Sequence, residues 1–404
     1  MIVDAQDSLS GIQSITPALL VFTTEGTGLR KFTTVVDRAG NSVSDDNDPI
    51  KIDLTPPTIT YLNQLPLANA AGWNNTPVDF RWQCGDALSG VVNQTVMRNL
   101  ATEGAALTAT QSCFDVAGNE TPNTVSNVRI DMTKPTLAYN AQQPSANANG
   151  WNRTDVQLPF VPADALSGVA STSIPSPLTL TAEGAVIYGS VSVTDVAGNT
   201  DSFTSPSVMI DKTAPAITFE SRLPAANENG WNNTDITSQW SCADGLSGVV
   251  AGNLSHTLSS EGANQSLTGT CADLADNTTN NTVGSLSLDK TNPVVQCIAS
   301  PEVIWPPNHQ MEPTNVALTF TDALSGTWSF AITGAASSEG GEATDIAGFT
   351  IGSSSLSGSL RAIRAGNGPG RFYTFGYQGR DRAGNTSDCA TKVTVPQNPT
   401  DQQQ

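Results

Sequence analysis

Histidine is almost absent: the 404 residues hold two, His256 and His309, far from each other. Basic side chains are scarce as well, with 18 Lys and Arg against 37 Asp and Glu and a formal charge of -19. That balance offers no cationic footprint for phosphates, so nucleic acid is excluded as an expected partner. No run of 18 apolar residues occurs, so no helical membrane span is expected. Met1–Gly11 is polar and acidic, without the basic start and apolar stretch of a signal peptide. Cys-x-x-Cys is missing, and with isolated histidines a zinc site has no ligand set. His309 follows Pro306-Pro307 without a Ser, Cys or Asp constellation around it, and is read as a structural or surface histidine. The chain is therefore expected to be non-catalytic.

What is present is a repeat. Asp-x-Leu-Ser-Gly begins at Asp7, Asp86, Asp164, Asp244 and Asp322. Asp-x-Ala-Gly-Asn begins at Asp37, Asp115, Asp195 and Asp381, with Asp273-Leu-Ala-Asp-Asn277 as a variant. Asp-x-Thr-x-Pro begins at Asp53, Asp131, Asp211 and Asp289, advancing by 78, 80 and 78 residues. Gly-Trp-Asn (from Gly72, Gly150 and Gly230) and Glu-Gly (from Glu25, Glu103, Glu183 and Glu261) recur between them. Ordered landmarks at one spacing define the architecture before any single residue is considered.

Each unit has β character. Asp155–Val161 and Val186–Thr194 alternate apolar and polar residues, Ser202–Ile210 is rich in Val, Ile, Phe and Thr, and turn formers punctuate these runs. Ala-Gly-Asn between strands is a hairpin signal, because Gly supplies positive φ and Asp bonds the backbone ahead of it. Six or seven short strands in about 80 residues fit an all-β fold of tandem immunoglobulin-like β-sandwiches in an extended array. The expected divisions are 1–52 (a partial unit), 53–132, 133–212 and 213–290 (full units), 291–398 (a distinct sandwich) and 399–404 (a polar tail). Pro57, Pro135, Pro215 and Pro293 in short linkers predict semi-rigid connections.

Six cysteines fall as Cys84/Cys113, Cys242/Cys271 and Cys297/Cys389, and the first two pairs share a separation of 29 residues. At the same two places the third unit has Pro162 and Val193, and the first has Ala5 and Val35. Loss in pairs is what a covalent bond predicts. Trp82 and Trp240 precede Cys84 and Cys242 by two residues, hence share their face, as an inward Trp beside a bridge between two sheets would. Disulfides imply an oxidising compartment, so an extracellular or cell-surface location is expected.

The landmarks IDLTPP, GWNNT, CGDALSG, TEGA and CFDVAGN over residues 53–290 resemble the bacterial Ig-like repeats found in tandem in secreted and surface-attached proteins. The last segment departs from them with Trp305-Pro-Pro-Asn-His309, Leu360-Arg-Ala-Ile-Arg364, Gly366–Gly370 and Arg371-Phe-Tyr373. It resembles the module that follows hyalin-repeat (HYR) domains in exported bacterial proteins. The resemblance implies β-sandwiches with a non-catalytic role in spacing, adhesion or glycan binding, and leaves open whether the ligand is a protein or a glycan.

Four acidic sets are expected to converge at the junctions between units: Asp53/Asp86/Asp115, Asp131/Asp164/Asp195, Asp211/Asp244/Asp273 and Asp289/Asp322/Asp381. Hard oxygen ligands so grouped suit Ca²⁺, and the competing role is capping of their own turns. Arg361, Arg364 and Arg371 form a basic cluster, where alternation across a hairpin over 359–377 would place Arg361 and Arg371 on one face. That face is either a docking surface for an anionic ligand or a solvated strand face paired with the acidic surface. The repeated Glu of Glu-Gly is read as a turn residue. The sequons at Asn74, Asn152 and Asn232 are read as turn chemistry, and Trp73, Trp151 and Trp231 as packed plugs. Residues 1–52 lack Gly-Trp-Asn and the strand before the first loop. The unit is expected either to belong to a longer chain with further domains or to be completed by a strand from another chain. The overall expectation is a stalk or adhesin spacer, or alternatively carbohydrate-binding modules accessory to a larger secreted enzyme.

Overall fold

The structure is a computed structural model and describes residues 1–341, 343–366 and 368–398; the expected tail at 399–404 lies outside the described residues. The fold is all-β: among the described residues the only helical turn is a 3-10 turn at Ala343–Asp345. The chain forms two compact units, one of Met1–Ser145, Asp155–Ala182 and Val186–Val208, the other of Ala146–Thr154, Glu183–Ala185 and Met209 onward.

In the first unit, strands Thr58–Leu65, Val78–Gly85 and Thr95–Leu100 form one antiparallel sheet, and Gly104–Phe114 and Glu120–Ile130 form the other. The period-two pattern of Val78–Gly85 turns Val78, Phe80, Trp82 and Cys84 inward, where the first three are fully buried. Burying each large apolar side chain stabilises by about 1.5–3 kcal/mol. Trp82 keeps its indole N–H satisfied by donating to Asn123 Oδ1 at 2.9 Å. The same design recurs in the second unit. Ala216–Leu223, Ile236–Ala243 and Asn253–Leu258 face Gly262–Ala272 and Thr278–Leu288, and Trp240 donates to Asn281 Oδ1 at 3.0 Å.

The full repeats from Asp53 and Asp211 thus have five main strands rather than six or seven. Gly104–Phe114 and Glu120–Ile130 are each eleven residues long and continue through irregularities of register. In the repeat from Asp131 the corresponding chain is broken into Gly184–Ile187, Ser190–Asp195, Thr200–Thr204 and Val208–Ile210. Pro159 likewise splits Val156–Leu158 from Phe160–Ala163, since proline has no N–H for the ladder.

Over 291–398, Val294–Ser300, Met311–Thr321, Ser357–Arg361 and Ile346–Ala347 form one sheet and Thr327–Ser337, Arg371–Asp381 and Thr386–Val395 another. Tyr373, Phe375, Tyr377, Leu360, Val393 and Val395 are fully buried between them. The expected hairpin over 359–377 does not form: Ser357–Arg361 and Arg371–Asp381 pair within different sheets.

Disulfides join Cys84 to Cys113, Cys242 to Cys271 and Cys297 to Cys389, and each ties one sheet of its sandwich to the other. No free cysteine is present among the described residues.

Candidate functional site: the repeat linkers

The Asp-x-Thr-x-Pro linkers are where the landmarks meet. At Asp131, a side chain with no exposed surface, Oδ1 accepts from Thr133 N at 3.2 Å and Oδ2 from Ser167 N at 2.9 Å. Ser167 belongs to Asp-x-Leu-Ser-Gly, whose own Asp164 holds the turn by accepting from Leu166 N and Gly168 N at 3.1 and 2.7 Å. Gly168 has φ of +84°, which L side chains rarely adopt. Asp195 folds the Ala-Gly-Asn turn in the same way, with Oδ1 accepting from Gly198 N and Asn199 N at 2.7 and 2.8 Å. Asn199 Nδ2 then donates to Asp195 Oδ2 at 2.8 Å and, across the turn, to Asp131 O and Thr133 O at 2.8 and 3.2 Å.

The preceding repeat grips the same linker from behind. Glu103 accepts from Met132 N at 2.6 Å and from Thr133 Oγ1 at 2.9 and 3.0 Å. Glu25 holds Thr55, Glu183 holds Thr213 and Glu261 holds Thr291 in the same manner. Asn119 reaches Asp53 O, Asn277 reaches Asp211 O and Asn385 reaches Asp289 O. The Glu of Glu-Gly is therefore a clamp on the next linker, a role not recognised in the sequence. The signal was available, because Glu and Thr lie 30 residues apart in all four copies.

A second contact escaped the sequence reading. Asn69, four residues before Trp73, accepts from Trp73 N at 3.0 Å and donates to Val196 O at 2.8 Å in the following repeat. Asn147 donates to Leu274 O and Asn227 to Arg382 O, both at 2.8 Å. The Gly-Trp-Asn turn of one repeat thus docks on the Ala-Gly-Asn turn of the next.

Each expected acidic set is brought together: Asp53/Asp86/Asp115, Asp131/Asp164/Asp195, Asp211/Asp244/Asp273 and Asp289/Asp322/Asp381 each offer three carboxylate oxygens within 4.8 Å of one another. In every set the first and third members also cap turns through both oxygens. Hydrogen bonding from Ser89 holds the Asp53 carboxyl below the usual range. Burial alone would raise that of Asp244, but N–H groups of Gly248, Leu246 and Ser247 outweigh it and lower it.

Of the two readings of the arginine cluster, a docking face or pairing with acidic side chains, Arg361 and Arg371 follow the second, pairing with carboxylates. Arg371 is 6% exposed and turned inward, pairing with Asp345 at 2.8 Å and Glu339 at 3.3 Å and donating to Tyr373 Oη at 3.1 Å. Arg361 pairs with the other oxygen of Asp345 at 2.8 Å. Desolvation works against ionising Asp345, yet the hydrogen bonds from Arg371 and Arg361 prevail and lower its carboxyl. Arg364 reaches the carbonyls of Ala365, Gly366 and Gln397. Asn74, Asn152 and Asn232 are buried, as are Trp73 and Trp151, and Trp231 is half-buried. No helix among the described residues is long and apolar enough to cross a membrane, which says nothing of β-barrels.

Fold and linkers together define a tandem array of immunoglobulin-like β-sandwiches. No family model matches the chain, and no curated protein does. Among solved structures it is similar to a 1.5-MDa bacterial ice-binding adhesin, with 14% identity, 85% of this chain and 98% of that one covered, and a TM-score of 0.25. A tetra-tandem repeat from the extending region of a large adhesion protein shares 13% identity over 93% of this chain and 94% of that one, with a TM-score of 0.25. Protocadherin gammaB7 EC3-6 shares 11% identity over 91% and 96%, with a TM-score of 0.26. Likeness at this level leaves the functional reading to the geometry of the linkers.

Proposed function

We propose that the chain is a non-catalytic structural stalk or adhesin spacer of an extracellular or surface protein, divided at 52/53, 132/133, 212/213 and 290/291. The observation that carries the reading is the double clamp on every linker, by Glu from the preceding repeat and by Asn and Ser from the following one. Chain held from both sides gives up its bending freedom, which is what a spacer of fixed reach requires and what a flexible tether avoids. The disulfides suit an oxidising compartment.

The four Asp sets are proposed as Ca²⁺ sites that reinforce the clamps. Three carboxylates whose oxygens lie within 4.8 Å repel one another when all are ionised. A hard divalent cation with carboxylate and water ligands relieves that repulsion. The test of the stalk reading is a distance measurement between spin labels attached by non-cysteine chemistry at exposed Arg98 and Val186. A single narrow distribution, broadened by Glu103→Ala with Asn199→Ala, is expected. A distribution as broad in the wild type as in the variant would refute a stiff spacer.

A further inference from the structure

Two turns of the array carry a reactive dipeptide. Of the three Asn-Gly pairs in the sequence, Asn149-Gly150 and Asn229-Gly230 lie among the described residues, each ending in the Gly of Gly-Trp-Asn. The glycines are required there, since Gly72, Gly150 and Gly230 have φ of +81°, +85° and +81°. The asparagines are not. The same turn in the repeat from Asp53 has Ala71 and keeps its bonds, with Gly72 N donating to Asn69 O at 2.9 Å and Trp73 N to Asn69 Oδ1 at 3.0 Å. With no Cβ beside it, a glycine nitrogen is open to the side-chain carbonyl of a preceding Asn, one of the thermolabile residues.

Docking withholds the reaction that this pair invites. Asn149 Nδ2 donates to Leu274 O of the following repeat at 3.1 Å, beside the bonds of Asn147 Nδ2 to Leu274 O and Asp276 Oδ2, both 2.8 Å. Within the turn, Gly150 N donates to Asn147 O at 2.9 Å and Asn149 N to Asn147 Oδ1 at 3.0 Å. Asn229 is held alike, its Nδ2 donating to Arg382 O at 3.2 Å while Gly230 N donates to Asn227 O at 2.9 Å. An Asn amide bonded to the neighbouring repeat does not turn back on its own glycine. Parting of the repeats frees it.

We infer that Asn149 and Asn229 are deamidation sites gated by the docking of the following repeat, so that each records the opening of its junction as a permanent change of charge. Once the amide is free, the glycine nitrogen bonds to Asn Cγ and the bond from Cγ to Nδ2 breaks. Ammonia leaves, and the proton lost by the peptide nitrogen reaches it through solvent. Water then opens the cyclic imide at either carbonyl, giving aspartate or isoaspartate. At position 149 the product sets a carboxylate against Leu274 O, two acceptors with no proton between them, in a contact that already holds the Asp276 carboxylate. Redocking is weakened thereby. Neither Asn149 nor Asn229 belongs to the Glu and Asn clamps on the linkers, so the stiffness of the stalk and this chemistry succeed or fail separately.

The test incubates the full chain, folded and denatured, in mildly alkaline buffer and follows amide-to-acid conversion and isoaspartate at both positions by peptide mapping. Conversion at Asn149 and Asn229 is expected in both states and to be slower in the folded one. Asp276→Gly removes an acceptor from the facing turn and restores the Ala-Gly-Asn sequence of the other copies. It should speed conversion at Asn149 by about fivefold, the equivalent of one hydrogen bond, and leave Asn229 unchanged. Asn149→Asp, standing for the product, should quicken exchange of the Trp151 amide, which rests on Asn147 Oδ1, by about fivefold. Absence of conversion, equal rates in folded and denatured chain, or no response of Asn149 to Asp276→Gly would overturn the gated site. Unchanged Trp151 exchange in Asn149→Asp would overturn the weakening of the junction.

Discussion

Replacing Asn199 by Ala removes three side-chain hydrogen bonds while leaving the backbone of the Ala-Gly-Asn turn unchanged. Two go to Asp131 O and Thr133 O at 2.8 and 3.2 Å, and one to Asp195 Oδ2 at 2.8 Å. The neutral bonds contribute about 1 kcal/mol each, and the one to a carboxylate about 1.5–3 kcal/mol. Asp131 and Asp195 are buried, so water compensates little. The loss should total about 3.5–5 kcal/mol, local to the repeat that owns the turn. For about 80 residues each kcal/mol moves the melting point by roughly 4–8 °C, so a drop of more than about 14 °C is expected for that repeat alone. Since an array need not unfold in one step, the readout is native-state hydrogen exchange along each strand rather than a single melting curve. Asn119→Ala provides the comparison, because its linker bonds are longer, 3.2 and 3.5 Å, and its effect should be smaller by about 1 kcal/mol. Equal losses in the two variants, or a loss for Asn199→Ala below about 1 kcal/mol, would refute the clamp.

Reduction should separate the repeats. Opening Cys84–Cys113 or Cys242–Cys271, each spanning 29 residues, costs about 3.6 kcal/mol in the chain-entropy model, and opening Cys297–Cys389, spanning 92, about 4.6 kcal/mol. The repeat from Asp131, which has no bridge, should melt unchanged in reductant, as calorimetry with and without it will show. Stripping with EDTA and then adding Ca²⁺ to about 100 times its dissociation constant should stabilise each binding repeat by about 2.7 kcal/mol; an unchanged melting temperature removes the cation from the account. Asp345, whose carboxyl is lowered in the folded state, contributes stability that is present above its unfolded pKa, about 4, and lost as pH falls through the folded value. Asp345→Asn should therefore cost segment 291–398 about 3 kcal/mol at neutral pH, by leaving Arg371 buried with a weakened set of partners, and should flatten its acid-melting profile.

The repeat, the β character and the cysteine pairs were legible because each is written in local spacing: alternation for strands, Gly for turns, paired loss for covalent bonds. The convergence of Asp131, Asp164 and Asp195 was legible too, since turns at one end of a sandwich meet. Glu103 was misjudged because its partner, Thr133, sits in the next repeat's linker, and nothing in a Glu-Gly dipeptide shows how far the carboxylate reaches. Arg371 was misplaced for a related reason. Alternation fixes which residues share a face of one strand, but not which sheet that strand joins, and here the sheet assignment carries Arg371 into the interior toward Asp345.

The linker clamps also restrict how such an array can lengthen. Glu to Thr is 30 residues in each copy, while the period varies from 78 to 80. The two additional residues of the repeat from Asp131 lie before Glu183: Asp131 to Glu183 is 52 residues, against 50 from Asp53 to Glu103. Insertions are thus tolerated in the front of a repeat and barred from its rear, where one residue more would carry the threonine away from its carboxylate. The rear segment acts as a ruler, and copying by whole periods is the change in length that preserves it.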